Sequence, residues 1–247
     1  MRLSFSKSQS LKVSHKKQIY ETHPLQSFSP TSRINGHGSC CKTCPPSRSR
    51  IGKERGEGEG ELKSHRSTIS TARRLIRRAK VKGVTAIFEL GFYGSSRRVD
   101  LAFVGKKPSG QPVILLLELK DFDNSICLPS SEEDRKEFKI LTDTYGLIEH
   151  PSLKAKIYQE LLLSSVPNLQ GEGKFSVLSF AHAPRYNWEL NPVLYNATYA
   201  PVFESHHCFD RETEKHLVEI IREEFSGGHG GEALHELLVL SEEDDGS

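Results

Sequence analysis

Residues 98–120 read RVDLAFVGKKPSGQPVILLLELK, and this stretch decides the fold. The runs 98–104 and 113–120 are dense in Val, Leu, Ile and Phe, and the Lys-Lys-Pro-Ser-Gly segment between them is turn chemistry, so the two predict a β-hairpin. The second run is apolar almost without interruption up to Glu118, which predicts a central strand covered on both faces. Working outward, 84–90 reads as a strand preceding the hairpin. Ahead of it, 64–82 carries Ile69, Ala72, Leu75, Ile76 and Ala79 at three- and four-residue spacing and predicts an amphipathic helix stopped by Gly83. Downstream, 121–135 reads as a polar connection followed by a short helix to 141. Helices are expected at 152–164, 211–225 and 232–240, and a strand at 175–183. The order helix, three strands, helix, strand, helix predicts an α/β sandwich, a mixed sheet flanked by helices.

The chain has 247 residues, 36% of them hydrophobic, and a formal net charge of +2 that hides an asymmetry. Residues 1–82 hold 19 Lys and Arg against five acids, whereas the remainder holds 15 against 27. A basic arm on an acidic body attracts polyanions such as nucleic acid, although a solvated tail has the same composition. Residues 1–60, rich in Ser, Lys, Arg and Gly, are expected to be a disordered arm, 61–226 the folded domain, and 227–247 a C-terminal helix with an acidic tail. No run of residues is apolar enough for a membrane span, no hydrophobic segment opens the chain, and five Cys is an odd number. The expectation is a cytoplasmic protein, with organelle targeting by the Ser-rich arm as the alternative.

Asp100, Glu118 and Lys120 carry the chemistry. Side chains two apart on a strand share a face, so Glu118 and Lys120 point the same way, and the hairpin sets Asp100 beside them. Two neighbouring carboxylates repel and are costly to bury without a cation, and hard oxygen ligands suit Mg²⁺ or Mn²⁺. Lys120 is placed to hold a water or to neutralise charge on a phosphate. A solvated rim with a surface ion pair has the same spacing. If the first hairpin turns at Gly94 and Ser95, Glu89 falls opposite Asp100, as a third acidic ligand or as a packed, half-buried Glu.

The element order, with Asp100 on the second strand and Glu118-Leu119-Lys120 closing the third, resembles the PD-(D/E)XK nuclease superfamily and its restriction-endonuclease-like αβββαβ core. Val99 stands where the superfamily name has Pro. Phe88-Glu89, the run from Gly94 to Asp100, the run from Leu115 to Lys120, Glu149-His150-Pro151-Ser152 and Tyr158-Gln159-Glu160-Leu161-Leu162 are similar to a bacterial nuclease-like module found upstream of a helicase-like ATPase domain. The resemblance implies a Mg²⁺-dependent phosphodiesterase acting on DNA or RNA, with Asp100 and Glu118 as ligands and the Leu119 carbonyl as a further one. No Walker-type loop occurs in the sequence, so a helicase or ATPase partner is expected on a separate chain. Where relatives carry a Gln four residues ahead of the helix Tyr, this chain has Lys154 ahead of Tyr158; both are expected near the nucleic acid. The rival reading is a non-catalytic nucleic-acid or protein-binding module on a degenerate nuclease fold.

Other signals are weaker. Arg97 and Arg98 flank Asp100 and are placed to grip phosphates, or else form an ordinary solvated turn. The basic face of the first helix, with Arg73, Arg74, Arg77 and Arg78, reads as a DNA track or a solvated face. His37, Cys40, Cys41 and Cys44 lack a second Cys pair at zinc spacing; Cys127 and Cys208 stand singly. His182 reads as a core histidine, His206 and His207 as a surface loop, and Trp188 as a packing residue, with base stacking by Tyr186 and Trp188 the alternative.

Overall fold

A computed structural model describes residues 57–92, 95–125, 127–169, 171 and 174–242. The expectations for residues 1–56, including the His37 and Cys40–Cys41–Cys44 group, and for 243–247 lie outside the described residues. Helix α1 (Glu57–Ala79) leads into a meander of β1 (Thr85–Gly91), β2 (Arg98–Lys106) and β3 (Pro112–Leu119). It starts seven residues ahead of the start read from periodicity and ends at Lys80, where φ is 59°, before Gly83 at 66°. The chain then passes through α3 (Pro151–Ser165) to β7 (Ser176–Ala183), on to β8 (Cys208–Asp210), α5 (Glu214–Phe225) and α6 (Gly230–Glu242). The main sheet has five strands in the order β1-β2-β3-β7-β8. The first three pair antiparallel, while β3–β7 and β7–β8 pair parallel. The fold is therefore mixed α/β, a mixed sheet flanked by helices.

Strand periodicity sorts the core. Leu101, Phe103, Leu115 and Leu117 pack with Ala72, Leu75 and Ile76 of α1 and Leu217, Ile221 and Phe225 of α5. Ala102, Val104, Ile114 and Leu116 pack on the other side with Tyr158 and Leu162 of α3 and Ala233 and Leu237 of α6. Leu115, Leu116 and Leu117 are all fully buried, which is how a central strand with helices on both faces reads, and burying each contributes about 1.5–3 kcal/mol. Helix α6 thus completes the core rather than trailing it. It is reached through a glycine passage in which Gly227 N–H bonds Lys106 O at 3.0 Å and Gly230 N–H bonds Gly83 O at 2.6 Å. A Cβ at Gly227 would run into the Lys107 carbonyl, and one at Gly230 into the backbone of Thr85.

The alternation slips once. Phe88 pairs with Leu101 and both pack with the α1/α5 cluster, whereas Leu90 pairs with Val99 and both pack with the α3/α6 cluster. Residues two apart normally share a face. Between these pairs stand Glu89 and Asp100, and Glu89 has φ 52°, in the left-handed region. A non-glycine residue there costs roughly 1–3 kcal/mol and persists only where its surroundings hold it.

The connection 121–149 differs from expectation. It contains β4 (Cys127–Leu128), a five-residue helix α2 (Glu132–Lys136), β5 (Lys139–Thr142) and β6 (Gly146–Glu149), and the three strands form a separate antiparallel sheet. The short helix expected after 135 and up to 141 is not found there: α2 lies ahead of it, in the span read as a connection, and Phe138, at φ 54°, turns the chain into β5. Cys127 and Ile140 of this sheet pack against Ala181, Tyr186 and Tyr199 in a third cluster.

Candidate active site

The face rule places the charged residues. Glu118 follows Ile114 and Leu116 on the α3 side of β3, and Lys120 follows it just beyond the strand. Both stand at the carboxyl end of the parallel β3–β7 pair, where Lys120 N–H bonds His182 O at 2.9 Å. Glu118 is 2% exposed. Lys120 Nζ lies 2.6 Å from Glu118 Oε1, and Lys154 Nζ, from the first turns of α3, lies 3.4 Å from the same oxygen. Tyr158, one turn further along α3, is buried and donates its hydroxyl to Glu118. Burial and the nearby carboxylates push that hydroxyl's pKa up.

Asp100 sits on the neighbouring strand. Its Oδ2 accepts a 2.7 Å hydrogen bond from Leu119 N–H. Burial and the charge of Glu118 push its carboxyl up to about 7, against the opposing pull of the Leu119 N–H and Lys120, and Glu89 adds to the upward push. The register puts Glu89 opposite Asp100, flanked by the 88–101 and 90–99 pairs. For Lys120, burial lowers the pKa, but Glu118 outweighs it and leaves the ammonium above its ordinary value. The result is two carboxylates short of positive charge at Asp100, with a firmly protonated lysine beside them.

Arg97 pairs with a different carboxylate. Its guanidinium makes a two-pronged contact with Glu149, with both N···O distances 2.8 Å. The Arg97 hydrogen bond holds the Glu149 carboxyl below its ordinary range. Arg98 is exposed at the start of β2. Glu149 precedes the cap of α3, where His150 Nδ1 accepts from Ser152 N–H at 3.1 Å and Pro151 opens the first turn. Glu149 is a residue that sequence reasoning missed. Its signal was the His-Pro-Ser start of α3, which sets the preceding acid at the site.

Other expectations are corrected. On the basic face of α1, Arg74 and Arg78 both ion-pair with the buried Glu214 of α5, on the opposite face of the sheet from Glu118. His182 is fully buried as expected, with Nε2 2.9 Å from Glu214 Oε2. Burial pushes the His182 pKa down against the pull of Glu214, while His182 and Arg74 overcome burial and hold Glu214 at about 2. His206 is no loose surface residue: it is buried, with Nε2 2.6 Å from Gln159 Oε1 of α3. His207 packs its ring, tilted, against Phe203 and Phe209. Tyr186 is fully buried, donating to Asn191 O, so it cannot stack a base; Trp188 is 42% exposed and leans on Tyr195. Cys127 and Cys208 are free and buried.

Among the described residues no group of three or more His, Cys, Asp and Glu side chains is placed to hold a metal ion, and no helix is long and apolar enough to cross a membrane. The donor set at the site is smaller: Asp100, Glu118 and backbone oxygen near Leu119. Mg²⁺ is commonly held by one or two carboxylates completed by water and substrate phosphate. A buried pair of adjacent carboxylates, one driven up by burial and by its neighbour's charge, fits such a cation. In comparisons with known proteins, no family model, no curated protein and no solved structure matches this chain. The functional reading rests on the site itself.

Proposed function

We propose that this chain is a metal-dependent phosphodiesterase of the PD-(D/E)XK nuclease type, acting on DNA or RNA. The observation that carries this reading is the Asp100–Glu118 pair on adjacent strands, with Asp100 pushed up to about 7 and Lys120 Nζ 2.6 Å from Glu118. The order α1, β1-β2-β3, α3, β7, with β3 and β7 parallel, supports a restriction-endonuclease-like core. Asp100 and Glu118 would hold Mg²⁺ or Mn²⁺, which when bound supplies Lewis-acid polarisation and charge neutralisation at the phosphate. The Leu119 N–H fixes the Asp100 carboxylate against rotation. Lys120, charged and held against Glu118, orients the attacking water and faces the negative charge that develops on the phosphate. Arg98 is exposed to take a backbone phosphate, and Arg97, gripped by Glu149, has the remaining edge of its guanidinium for the same purpose.

A second reading, a nucleic-acid-binding module without catalysis, is favoured by one observation: Lys154 adds a second ammonium to Glu118, where the resemblance leads one to expect Gln. Cleavage of labelled single- and double-stranded DNA and RNA in Mg²⁺ and Mn²⁺ separates them. Cleavage that needs metal and is lost in Asp100→Ala and Lys120→Ala supports the enzyme. Salt-dependent binding without cleavage, unchanged in both variants, supports the module.

A further inference from the structure

Two ammoniums from different elements converge on one oxygen. Lys120 is fixed by β3, but Lys154 comes from α3 and approaches Glu118 Oε1 from the helix side at 3.4 Å. The backbone that carries it is anchored on both sides. The His150 cap begins the helix, Ser179 Oγ donates to Ala155 O at 2.7 Å, and Gln159 Nε2 donates to Val177 O at 3.1 Å. The base of the Lys154 side chain therefore cannot drift away, and only its four-carbon stem can swing. Both ammoniums contact Glu118, so its charge is compensated without any metal, whereas the carboxylate of Asp100 is held by the Leu119 N–H. A dication entering beside Glu118 meets an ammonium already in contact with its ligand oxygen, and like charges a few ångströms apart in a half-buried site repel strongly.

We infer that Lys154 is a resident counter-ion for Glu118 which competes with the divalent cation, so that this residue sets how much Mg²⁺ or Mn²⁺ the site requires. The inference rests on the reading of Asp100 and Glu118 as the carboxylates that hold the metal. Lys120 is the poorer candidate for this role, because it follows Glu118 on the same chain segment and is held to it at 2.6 Å. The long stem of Lys154 lets its ammonium leave Glu118 for an incoming phosphate, so the metal enters most readily together with substrate.

The test is Mn²⁺ titrated onto the purified full chain without nucleic acid, followed by the electron paramagnetic resonance signal of free Mn²⁺. Lys154→Gln and Lys154→Ala remove the charge, Lys154→Arg keeps it, and Asp100→Asn removes a ligand; thermal melting checks that each variant is folded. The expected result is Mn²⁺ binding tightened on the order of ten-fold in both neutral variants, the size of effect that groups adjoining metal ligands have. Lys154→Arg should bind like the unaltered chain, and Asp100→Asn should lose binding. Equal affinity in the neutral and charged variants, with binding still lost in Asp100→Asn, overturns the role of Lys154 and leaves the metal site standing. No Mn²⁺ binding by the unaltered chain or by either neutral variant overturns the metal site, and this inference with it.

Discussion

Each face of the central sheet buries one glutamate against basic side chains. On the α3 side Glu118 meets Lys120 and Lys154; on the α1 side Glu214 meets Arg74, Arg78 and His182. The partners of Glu214 are two guanidiniums and an imidazole, and its carboxyl is held at about 2. Such a cluster ties α1, β7 and α5 together. Glu118 instead stands beside Asp100, which its charge and burial push up to about 7. A carboxylate in a closed ion cluster is a clamp, whereas a carboxylate pair with one unsatisfied member is a place where a cation or a proton is wanted.

The largest expected effect separates the two by activity. Asp100→Asn should lower metal-dependent cleavage by on the order of 10³-fold or more, and Lys120→Ala likewise. Glu214→Ala should leave cleavage per folded molecule unchanged. A single-turnover assay on all three, corrected for folded fraction, checks this. The next effect reverses the ranking. Removing Glu214 strands buried His182 and two arginines and should cost about 3 kcal/mol by urea denaturation, while Asp100→Asn should hold stability level or raise it by relieving the repulsion with Glu118.

The pH dependences should have opposite signs. The folded pKa of Glu214 is depressed from 4.5 to about 2, so its contribution is present above pH 4.5 and is lost as the pH falls towards 2. The folded pKa of Asp100 is raised from 3.8 to about 7, so the folded state binds more protons between these values and stability falls as the pH rises from 4 to 7. Melting curves from pH 2 to 8 in metal-free buffer should lose the acid limb in Glu214→Gln and the neutral limb in Asp100→Asn. The smallest effect is the control. Arg185 pairs with Asp121 and Asp123 in the open, and Arg185→Ala should change stability by no more than about 1 kcal/mol.

The side of the comparison that carries the site was the more legible one in the sequence. Glu118 and Lys120 share a face by the two-residue period, and the turn at Pro108-Ser109-Gly110 brought Asp100 beside them. The register opposite Glu89 followed from counting back from the turn near Gly94. The left-handed Glu89 did not, because nothing in Phe-Glu-Leu marks a break, and only its setting between two faces reveals it. Glu214 and its arginines were illegible because they lie about 140 residues apart in sequence. The small sheet escaped for a different reason: β4 has two residues and β5 and β6 four each, too few for a period to register, and contacts with Tyr186 and Tyr199 hold them in place. The helix expected up to 141 gives way to β5 after Phe138, whose backbone turn no propensity signals.

The glycine passage into α6 has a consequence for how the chain is made. The α3 face of the sheet is covered partly by Ala233 and Leu237, and these lie 114 and 118 positions after the end of β3 at Leu119. At roughly 5–20 residues per second of synthesis, that face stays open for on the order of ten seconds after β3 emerges. During that interval Ile114, Leu116 and Val104 are offered to chaperones or to other nascent chains. A side chain at Gly227 or Gly230 would collide with the backbone at the crossing that ends it, so such a change would lower the yield during expression as well as the stability of the folded molecule.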